Sequence, residues 1–248
     1  MPNLSWLTTR PIAHRGLHDE AHGIVENTPS AALAAIADNY SIECDLQITA
    51  DGEAMVFHDD ELERLTQGSG ALAARTAADL QRVAFKGTID RMMTLGEYCD
   101  LIAGRVVLVA ELKSRFDGDL RVAQRAVAVL RSYSGPFALM SFDPALVAEV
   151  RRLAPEMTRG ITSESRYNHP YWKFLTAAQK RSLAWMTHAP SSRPQFIAHY
   201  VNDLPAHIPQ FARTLFGIPV LTWTVRTDAQ KTRAKQSADQ MIFEGFRA

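Results

Sequence analysis

The sequence RVVLVAELKSRFDGDLRVAQRAVAVLRSYSGPFALMSFDPALVAEVRRL, residues 105–153, decides the fold class because two apolar runs alternate in it with two helical patterns. The first run, RVVLVAELK, is rich in β-branched residues and is typical of a buried strand. Apolar residues then recur at positions 120, 123, 127 and 130, which is the period of a helix. After the second run, PFALMSF, Asp143 is suited to cap a helix that begins with Pro144. Strands that alternate with helices are expected to be parallel.

The same alternation continues toward both ends of the chain. Further strand-like runs are PIAH, SIECDLQIT, AMVFH, TRGITS, QFIAHYV, IPVLTWTV and DQMIFEG. Seven or eight strand–helix units in 248 residues predict a (β/α)₈ TIM barrel. An open doubly wound sheet is the competing architecture, but no Gly-x-Gly-x-x-Gly follows the first strand and no P-loop is present.

Two segments interrupt the alternation. Residues 59–90 are predicted to be a small insertion after the second strand, within a single domain that spans residues 1–248. Residues 165–185 are rich in aromatic side chains and helical in pattern. They are interpreted either as a lid or lining for a lipid-like group, or as a surface helix that packs its own aromatic residues.

The composition excludes some classes of function. Lysine plus arginine, 27 residues, equals aspartate plus glutamate, 27 residues, which argues against a nucleic-acid partner. The two cysteines suggest neither a disulfide framework nor a zinc site, and a reducing compartment fits them best. No signal peptide and no long apolar run is apparent, so we expect a cytoplasmic protein without stable membrane insertion.

Three carboxylates are predicted to meet at the ends of neighbouring strands. Glu43 and Asp45 share one face of SIECDLQIT, because side chains two residues apart point the same way, and Glu111 lies near the end of RVVLVAELK. Carboxylates gathered in a barrel interior repel one another unless a cation lies between them. All-oxygen ligation selects a hard ion, Mg²⁺ or Ca²⁺. The alternative is that Arg15 and Lys113 pair with these acids in buried ion pairs.

Together these residues resemble the glycerophosphodiester phosphodiesterase family. The ordered motifs that carry the resemblance are His14-Arg15-Gly16, Glu26-Asn27-Thr28, Glu43-x-Asp45, Thr49-x-Asp51-Gly52, His58-Asp59 and Glu111-x-Lys113. The resemblance implies a (β/α)₈ barrel with one divalent ion held by Glu43, Asp45 and Glu111. It further implies that two histidines, His14 and His58, perform the acid/base chemistry.

The chemistry of the side chains suits these roles. An imidazole can both accept and donate a proton near neutral pH, although the sequence leaves open which histidine is the acid. Arg15 and Lys113 would neutralise charge on the phosphoryl oxygens. The attacking oxygen could belong to water or to the neighbouring hydroxyl of the glycerol, which would form a cyclic intermediate first. Trp223 could stack against the glycerol or belong to the packed core.

Three further residues are expected to support the site. Glu26 and Asn27 are interpreted as orienting the site. The alternative is that their segment, Glu26-Asn27-Thr28, only caps the helix that begins at Pro29. Asp59 either orients His58 or is a solvated acid. Gly16 is expected to allow a tight turn after His14 and Arg15.

The predicted activity is metal-dependent hydrolysis of small glycerophosphodiesters to glycerol 3-phosphate and an alcohol. Cleavage of lysophospholipids and related lipid phosphodiesters is one alternative, and a non-catalytic barrel that binds a phosphorylated ligand is another. The oligomeric state stays open. One departure from the family is ADQMIFEGFRA, residues 238–248, which replaces the usual Gly-hydrophobic-Thr-Asp-x-Pro pattern and predicts an atypical closure or last loop.

Overall fold

The computed structural model describes residues 3–248 and contains a closed ring of eight parallel strands. The strands of the described chain are β1 (Ile12–Ala13), β2 (Ser41–Ile48), β3 (Ala54–Val56), β4 (Leu108–Leu112), β5 (Phe137–Ser141), β6 (Arg159–Ser163), β7 (Phe196–Tyr200), β8 (Val220–Val225) and β9 (Gln240–Phe243). Around the ring the order is β1, β2, β4, β5, β6, β7, β8, β9, and β9 pairs with β1 again. The predicted barrel is confirmed, and the open doubly wound sheet is excluded.

Ten α-helices lie among the described residues, most of them between successive strands. They are α1 (Ser5–Thr8), α2 (Pro29–Ala37), α3 (Ala77–Arg82), α4 (Leu95–Ile102), α5 (Arg121–Leu130), α6 (Pro144–Leu153), α7 (Ala177–Ala184), α8 (Ala189–Ser192), α9 (His207–Phe216) and α10 (Asp228–Ser237). Asp143 caps α6 as predicted, because its side chain accepts a hydrogen bond from the amide of Ala145. Thr94 and Glu97 form a reciprocal capping box at the start of α4.

The core has two layers because successive side chains of a strand point to opposite faces. Inside the ring, apolar side chains from most of the strands, among them Val109, Met140 and Leu221, form one cluster. Outside it, Cys44 and Leu46 of β2 pack with side chains of the surrounding helices. The alternation along β2 therefore sends Glu43 and Asp45 into the ring, as the sequence predicts.

The insertion after the second barrel strand is confirmed. β3, which runs antiparallel to β2, precedes the range predicted for it, residues 59–90. The segment that follows carries a 3₁₀ turn (Leu72–Ala74) and the short helix α3. Phe57, Leu62 and Phe85 belong to a separate apolar cluster beneath it. This cluster anchors the insertion at the edge of the ring.

Of the two outcomes expected from the final residues, an atypical closure or an atypical last loop, the pairing of β9 with β1 shows that the ring itself closes. β9 makes regular parallel pairs with β1, in which Ile12 lies opposite Ile242 and Ala13 opposite Phe243. The residue that follows β9 is Glu244. No helix in the described part of the chain is long and apolar enough to cross a membrane.

Candidate active site

A cavity of about 180 Å³ opens where the barrel strands end. Eight of the residues predicted from sequence line it, namely His14, Arg15, Glu43, Asp45, His58, Glu111, Lys113 and Trp223. Each of them lies on a strand of the sheet or just after one. Because the carboxyl ends of parallel strands meet at one end of a barrel, side chains distant in sequence converge there.

Strand register brings the three carboxylates together. Asp45 of β2 lies directly opposite Glu111 of β4, and Glu43 lies two residues before Asp45 on the same face. One carboxylate oxygen from each of the three lies within 4.8 Å of those from the other two. All three residues are buried. This oxygen cluster matches the ligand chemistry of a hard divalent cation.

Two cations of the chain occupy part of this cluster. Lys113 Nζ lies 2.8 Å from an oxygen of Asp45 and 2.6 Å from an oxygen of Glu111, and Arg15 Nε lies 3.1 Å from Asp45. Burial alone would raise the pKa of Asp45, but the charge of Lys113, with His58 and Arg15, holds it well below its usual range. The ion-pair interpretation therefore describes Asp45 and Glu111.

Glu43 is different because no lysine or arginine side chain of residues 3–248 forms a salt bridge with it. Its carboxylate accepts a hydrogen bond from the backbone amide of Arg15 at 2.9 Å. Burial, reinforced by the charges of Asp45 and Glu111, raises the pKa of Glu43 well above its usual range. The charge of Arg15 offsets this only in part, so the three carboxylates fit an additional divalent ion.

His14 contacts an acid that follows the neighbouring barrel strand, β9. Its Nδ1 lies 2.5 Å from Oε2 of Glu244, which follows β9. Burial lowers the pKa of His14 to about 4 despite this partner, so the imidazole is neutral at neutral pH. An ionised carboxylate only accepts hydrogen bonds, hence the proton is on Nδ1. Nε2 is left without a proton, and it lies 3.9 Å from Glu43 on the cavity side.

His58 has the same arrangement on the other side of the site. Its Nδ1 lies 2.7 Å from Oδ1 of Asp59, and Arg64 of the insertion donates to both oxygens of that carboxylate. Burial opposes the charge of Asp59, but the hydrogen bonds from His58 and Arg64 hold its pKa below the usual range. Asp59 is therefore a partner of His58 rather than a solvated acid.

Glu26 and Asn27 are hydrogen-bonded to Arg15 and Asp45, two residues that line the cavity. Glu26 accepts a hydrogen bond at 2.6 Å from Arg15 and two more from Arg64. The amide of Asn27 donates to Asp45 at 2.9 Å, and its carbonyl oxygen accepts from the backbone amide of Asp45. The cap of α2 is the next residue, Thr28, so Glu26 and Asn27 do not serve as helix caps.

The turn after β1 depends on Gly16. Its φ is +78°, in the left-handed region, and a Cβ there would lie 2.8 Å from backbone and side-chain atoms of Ala31. Arg15 also has a positive φ of 56°, which is uncommon for a residue with a side chain. The expected tight turn is confirmed, and it directs Arg15 toward Glu26 and Asp45.

An aromatic groove continues from the site toward the second insertion. This cavity of about 350 Å³ shares His58, Lys113 and Trp223 with the smaller one, and Tyr171 and Trp172 of residues 165–185 line it. The segment carries a 3₁₀ turn (Pro170–Trp172) followed by α7. Trp172 is buried against Phe116 and Phe142, so the segment both packs its own aromatic residues and lines the cavity.

Sequence reasoning assigned no role to three residues that complete the hydrogen bonding of the site. They are Glu244, Arg226, whose Nε lies 2.5 Å from Glu244, and Arg64. Glu244 follows a barrel strand in the same way as His14, and this position was the signal that could have identified it. His18 also lies nearby, with Nε2 3.6 Å from Glu244.

The chain matches a family of known proteins. Residues 14–243 match the model of the Glycerophosphoryl diester phosphodiesterase family. A glycerophosphodiester phosphodiesterase of Caldanaerobacter subterraneus is 26% identical over 251 residues, covering 95% of this chain and 94% of the relative. Glycerophosphodiester phosphodiesterase 1 of Rattus norvegicus is 34% identical over 244 residues, covering 89% of this chain and 72% of the relative.

Solved structures share the fold. A phosphodiesterase of Oleispira antarctica, in complex with the product sn-glycerol-3-phosphate, has a TM-score of 0.77 at 21% identity, covering 96% of this chain and 94% of that one. A glycerophosphoryl diester phosphodiesterase structure from Silicibacter pomeroyi has a TM-score of 0.75 at 25% identity, covering 94% of this chain and 89% of that one. The family model spans nearly the whole barrel with every predicted strand-end motif, and this chain belongs to the glycerophosphoryl diester phosphodiesterase family.

Proposed function

We propose that this protein hydrolyses small glycerophosphodiesters to glycerol 3-phosphate and an alcohol, using His14 and His58 for proton transfer. The observation that carries the proposal is that the two imidazoles make equivalent hydrogen bonds. Each has Nδ1 bound to a carboxylate, Glu244 for His14 and Asp59 for His58, and each ring lines the same cavity. Nε2 of each ring is thereby available to exchange a proton with substrate.

Arg15 and Lys113 would hold the phosphodiester between the two rings. Both line the cavity, and their acidic partners keep them protonated, since Asp45 holds the pKa of each above its usual range against the opposing effect of burial. Their N–H groups can donate to the non-bridging oxygens of the phosphate. Positive charge on both sides of the phosphorus would stabilise the transition state more than the ground state.

Glu43, Asp45 and Glu111 are the residues that would hold a divalent ion, Mg²⁺ or Ca²⁺. When bound, such an ion supplies positive charge that stabilises the phosphoryl oxygens. The raised pKa of Glu43 supports this assignment, because its buried carboxylate has no lysine or arginine partner among residues 3–248.

The proton inventory balances with these two histidines. One imidazole accepts the proton of the attacking oxygen, which belongs to water or to the neighbouring glycerol hydroxyl, as that oxygen bonds to phosphorus. The other, protonated beforehand from solvent, donates its proton to the alcohol oxygen as the phosphorus–oxygen bond breaks. With water, the products are glycerol 3-phosphate and the free alcohol. With the hydroxyl, a cyclic ester forms first and water then opens it.

The test is hydrolysis of glycerophosphocholine, glycerophosphoethanolamine and glycerophosphoinositol, with glycerol 3-phosphate detected enzymatically. Reactions contain Mg²⁺, Ca²⁺ or a chelator. His14→Ala and His58→Ala are each expected to lower kcat by about 10²–10⁴-fold. His22→Ala is the matched control, because the His22 side chain is 78% exposed and, within residues 3–248, its ring pairs only with the surface residue Asp19. Turnover that survives both substitutions would refute the assignment, and bound metal without any turnover would favour a phospho-ligand-binding barrel.

A further inference from the structure

The groove beside the active site is built mainly of aromatic rings. Its lining includes six aromatic side chains, those of Phe116, Phe142, Tyr171, Trp172, Tyr200 and Trp223. They come from the loops after β4 and β5, from residues 165–185, and from β7 and β8. Because aromatic side chains from five parts of the barrel meet here, we interpret the groove as a binding site and not as an incidental apolar patch.

Hydrogen bonds hold the two indoles in place. Trp172 Nε1 donates to Glu164 at 2.9 Å, and Trp223 Nε1 donates to the backbone oxygen of Ala198 at 2.9 Å. The rings also contact one another, with centroids 4.8 Å apart for Phe142 and Trp172 and 5.4 Å apart for Phe142 and Trp223. With their polar edges engaged, the rings can offer apolar faces to a ligand without rearrangement.

One carboxylate in the groove forms no salt bridge with a lysine or arginine of residues 3–248. Glu164 follows β6 and lines the cavity with the aromatic residues. Burial raises the pKa of Glu164, and the hydrogen bond from Trp172 opposes that shift. An apolar chain would gain nothing from an acid at this point. A cation with an apolar surface would gain from both the acid and the rings.

We propose that this groove binds the alcohol part of the substrate when that part carries a quaternary ammonium group, as choline does. The proposal rests on the proposed function, since it places the phosphate between His14 and His58 and the alcohol beyond His58. Trimethylammonium is attracted to the faces of aromatic rings and needs no hydrogen-bond acceptors. A primary ammonium such as that of ethanolamine is more strongly hydrated and loses more on entering an apolar groove.

The first arm of the test compares three diesters that differ only in the alcohol. They are glycerophosphocholine, glycerophosphoethanolamine and the 3,3-dimethylbutyl ester, which is the neutral isostere of the choline compound. We expect kcat/KM for the choline ester to exceed that for the neutral isostere by about tenfold. Equal values for these two would overturn the proposal, because the groove would then recognise shape and not charge.

The second arm removes the recognising groups. Glu164→Gln and Tyr171→Ala are each expected to reduce the preference for choline over the isostere severalfold, mainly through KM. Trp185→Ala is the matched control, because Trp185 lies in the same insertion, is 67% exposed and does not line the groove. A preference unchanged in both groove variants would overturn the proposal.

Two further measurements separate this inference from its basis and from its main competitor. Calorimetric titration with phosphocholine and with 3,3-dimethylbutyl phosphate measures the affinity of the groove for each ligand without requiring turnover. Selective binding of phosphocholine by a protein that hydrolyses no diester would support the groove assignment while refuting the proposed function. Hydrolysis of lysophosphatidylcholines that accelerates with acyl length, and loses this dependence in Tyr171→Ala, would show that an acyl chain occupies the groove and would overturn the proposal.

Discussion

Glu244 holds His14 from the neighbouring strand, with 2.5 Å between carboxylate Oε2 and imidazole Nδ1 across 230 positions of sequence. Arg226 holds Glu244 in turn from the loop after β8. These contacts favour the tautomer of His14 that carries its proton on Nδ1. The unprotonated Nε2 then faces the cavity. Glu244 is therefore expected to act on catalysis through His14 rather than through substrate.

Glu244→Gln should lower kcat by about 10- to 100-fold and leave KM almost unchanged, because the amide can present the wrong group to Nδ1. Glu244→Asp, which keeps the charge on a shorter side chain, should retain more activity. Steady-state kinetics with glycerophosphocholine provides the measurement. An equal loss in both variants, or a loss confined to KM, would contradict the positioning role.

Glu43→Gln should stabilise the metal-free protein and abolish its stabilisation by divalent ions. Burial and the charges of Asp45 and Glu111 raise the pKa of Glu43, so a neutral amide removes repulsion. The wild type should gain about 2.7 kcal/mol when the ion is present at one hundred times its dissociation constant. Thermal unfolding with Mg²⁺, Ca²⁺ or chelator measures both effects, and Glu20→Gln, at an exposed position, is the control. An ion-induced gain that persists in Glu43→Gln would place the ion elsewhere.

Acidification should weaken the fold through His199, which is 2% exposed and hydrogen-bonded to Ser163. Burial lowers its pKa to about 4, below the value of about 6.5 in the unfolded chain. Between these two pH values the unfolded state binds more protons, so stability falls as pH decreases, and the contribution is fully present above pH 6.5. The expected loss is about 1–3 kcal/mol for this residue.

Urea unfolding between about pH 7.5 and about pH 4.5 measures that loss. In His199→Asn the free energy of unfolding should depend less on pH over this window. His22→Asn, at the surface, should behave like the wild type. Parallel curves for wild type and His199→Asn would show that other groups account for the dependence.

Gly16→Ala should destabilise the protein more than Gly52→Ala, although both glycines have a positive φ. The backbone strain, about 1–2 kcal/mol, is common to the two substitutions. Only at position 16 does the added Cβ meet other atoms, at 2.8 Å from Ala31, which adds about 1–3 kcal/mol of overpacking. Unfolding free energies compare the pair, and equal losses would mean that Ala31 moves aside. Gly16→Ala should also lower kcat, because His14 and Arg15 precede the turn.

Much of the site could be predicted because strand ends determine it. The alternation of apolar and polar residues in β2 and β4 placed Glu43, Asp45, Glu111 and Lys113 on the inner face, and the ring brought them together. The sequence pattern alone could not show which of the three carboxylates form salt bridges with Arg15 and Lys113. That division depends on side-chain distances, which leave Glu43 without a lysine or arginine partner among residues 3–248.

Two features lay beyond sequence reasoning for different reasons. Glu244 lies in the final segment, whose departure from the family pattern predicts an atypical closure or last loop but does not identify a partner for His14, because the two residues are 230 positions apart. The groove arises from rings that five separate parts of the chain contribute. Each of these aromatic residues is typical of a packed core when considered alone, and only their meeting with Glu164 distinguishes a binding surface.

The pairing of β1 with β9 makes enzyme activity a measure of how far folding has progressed. His14 lies at the end of one of these strands and Glu244 at the end of the other, so the two meet only when the ring closes. Contacts between residues so distant in sequence form slowly because a long loop must close first. During refolding from denaturant, far-ultraviolet circular dichroism should therefore recover before hydrolysis does. Turnover would return only with the last pairing of the barrel, and each active molecule would be one whose ring is complete.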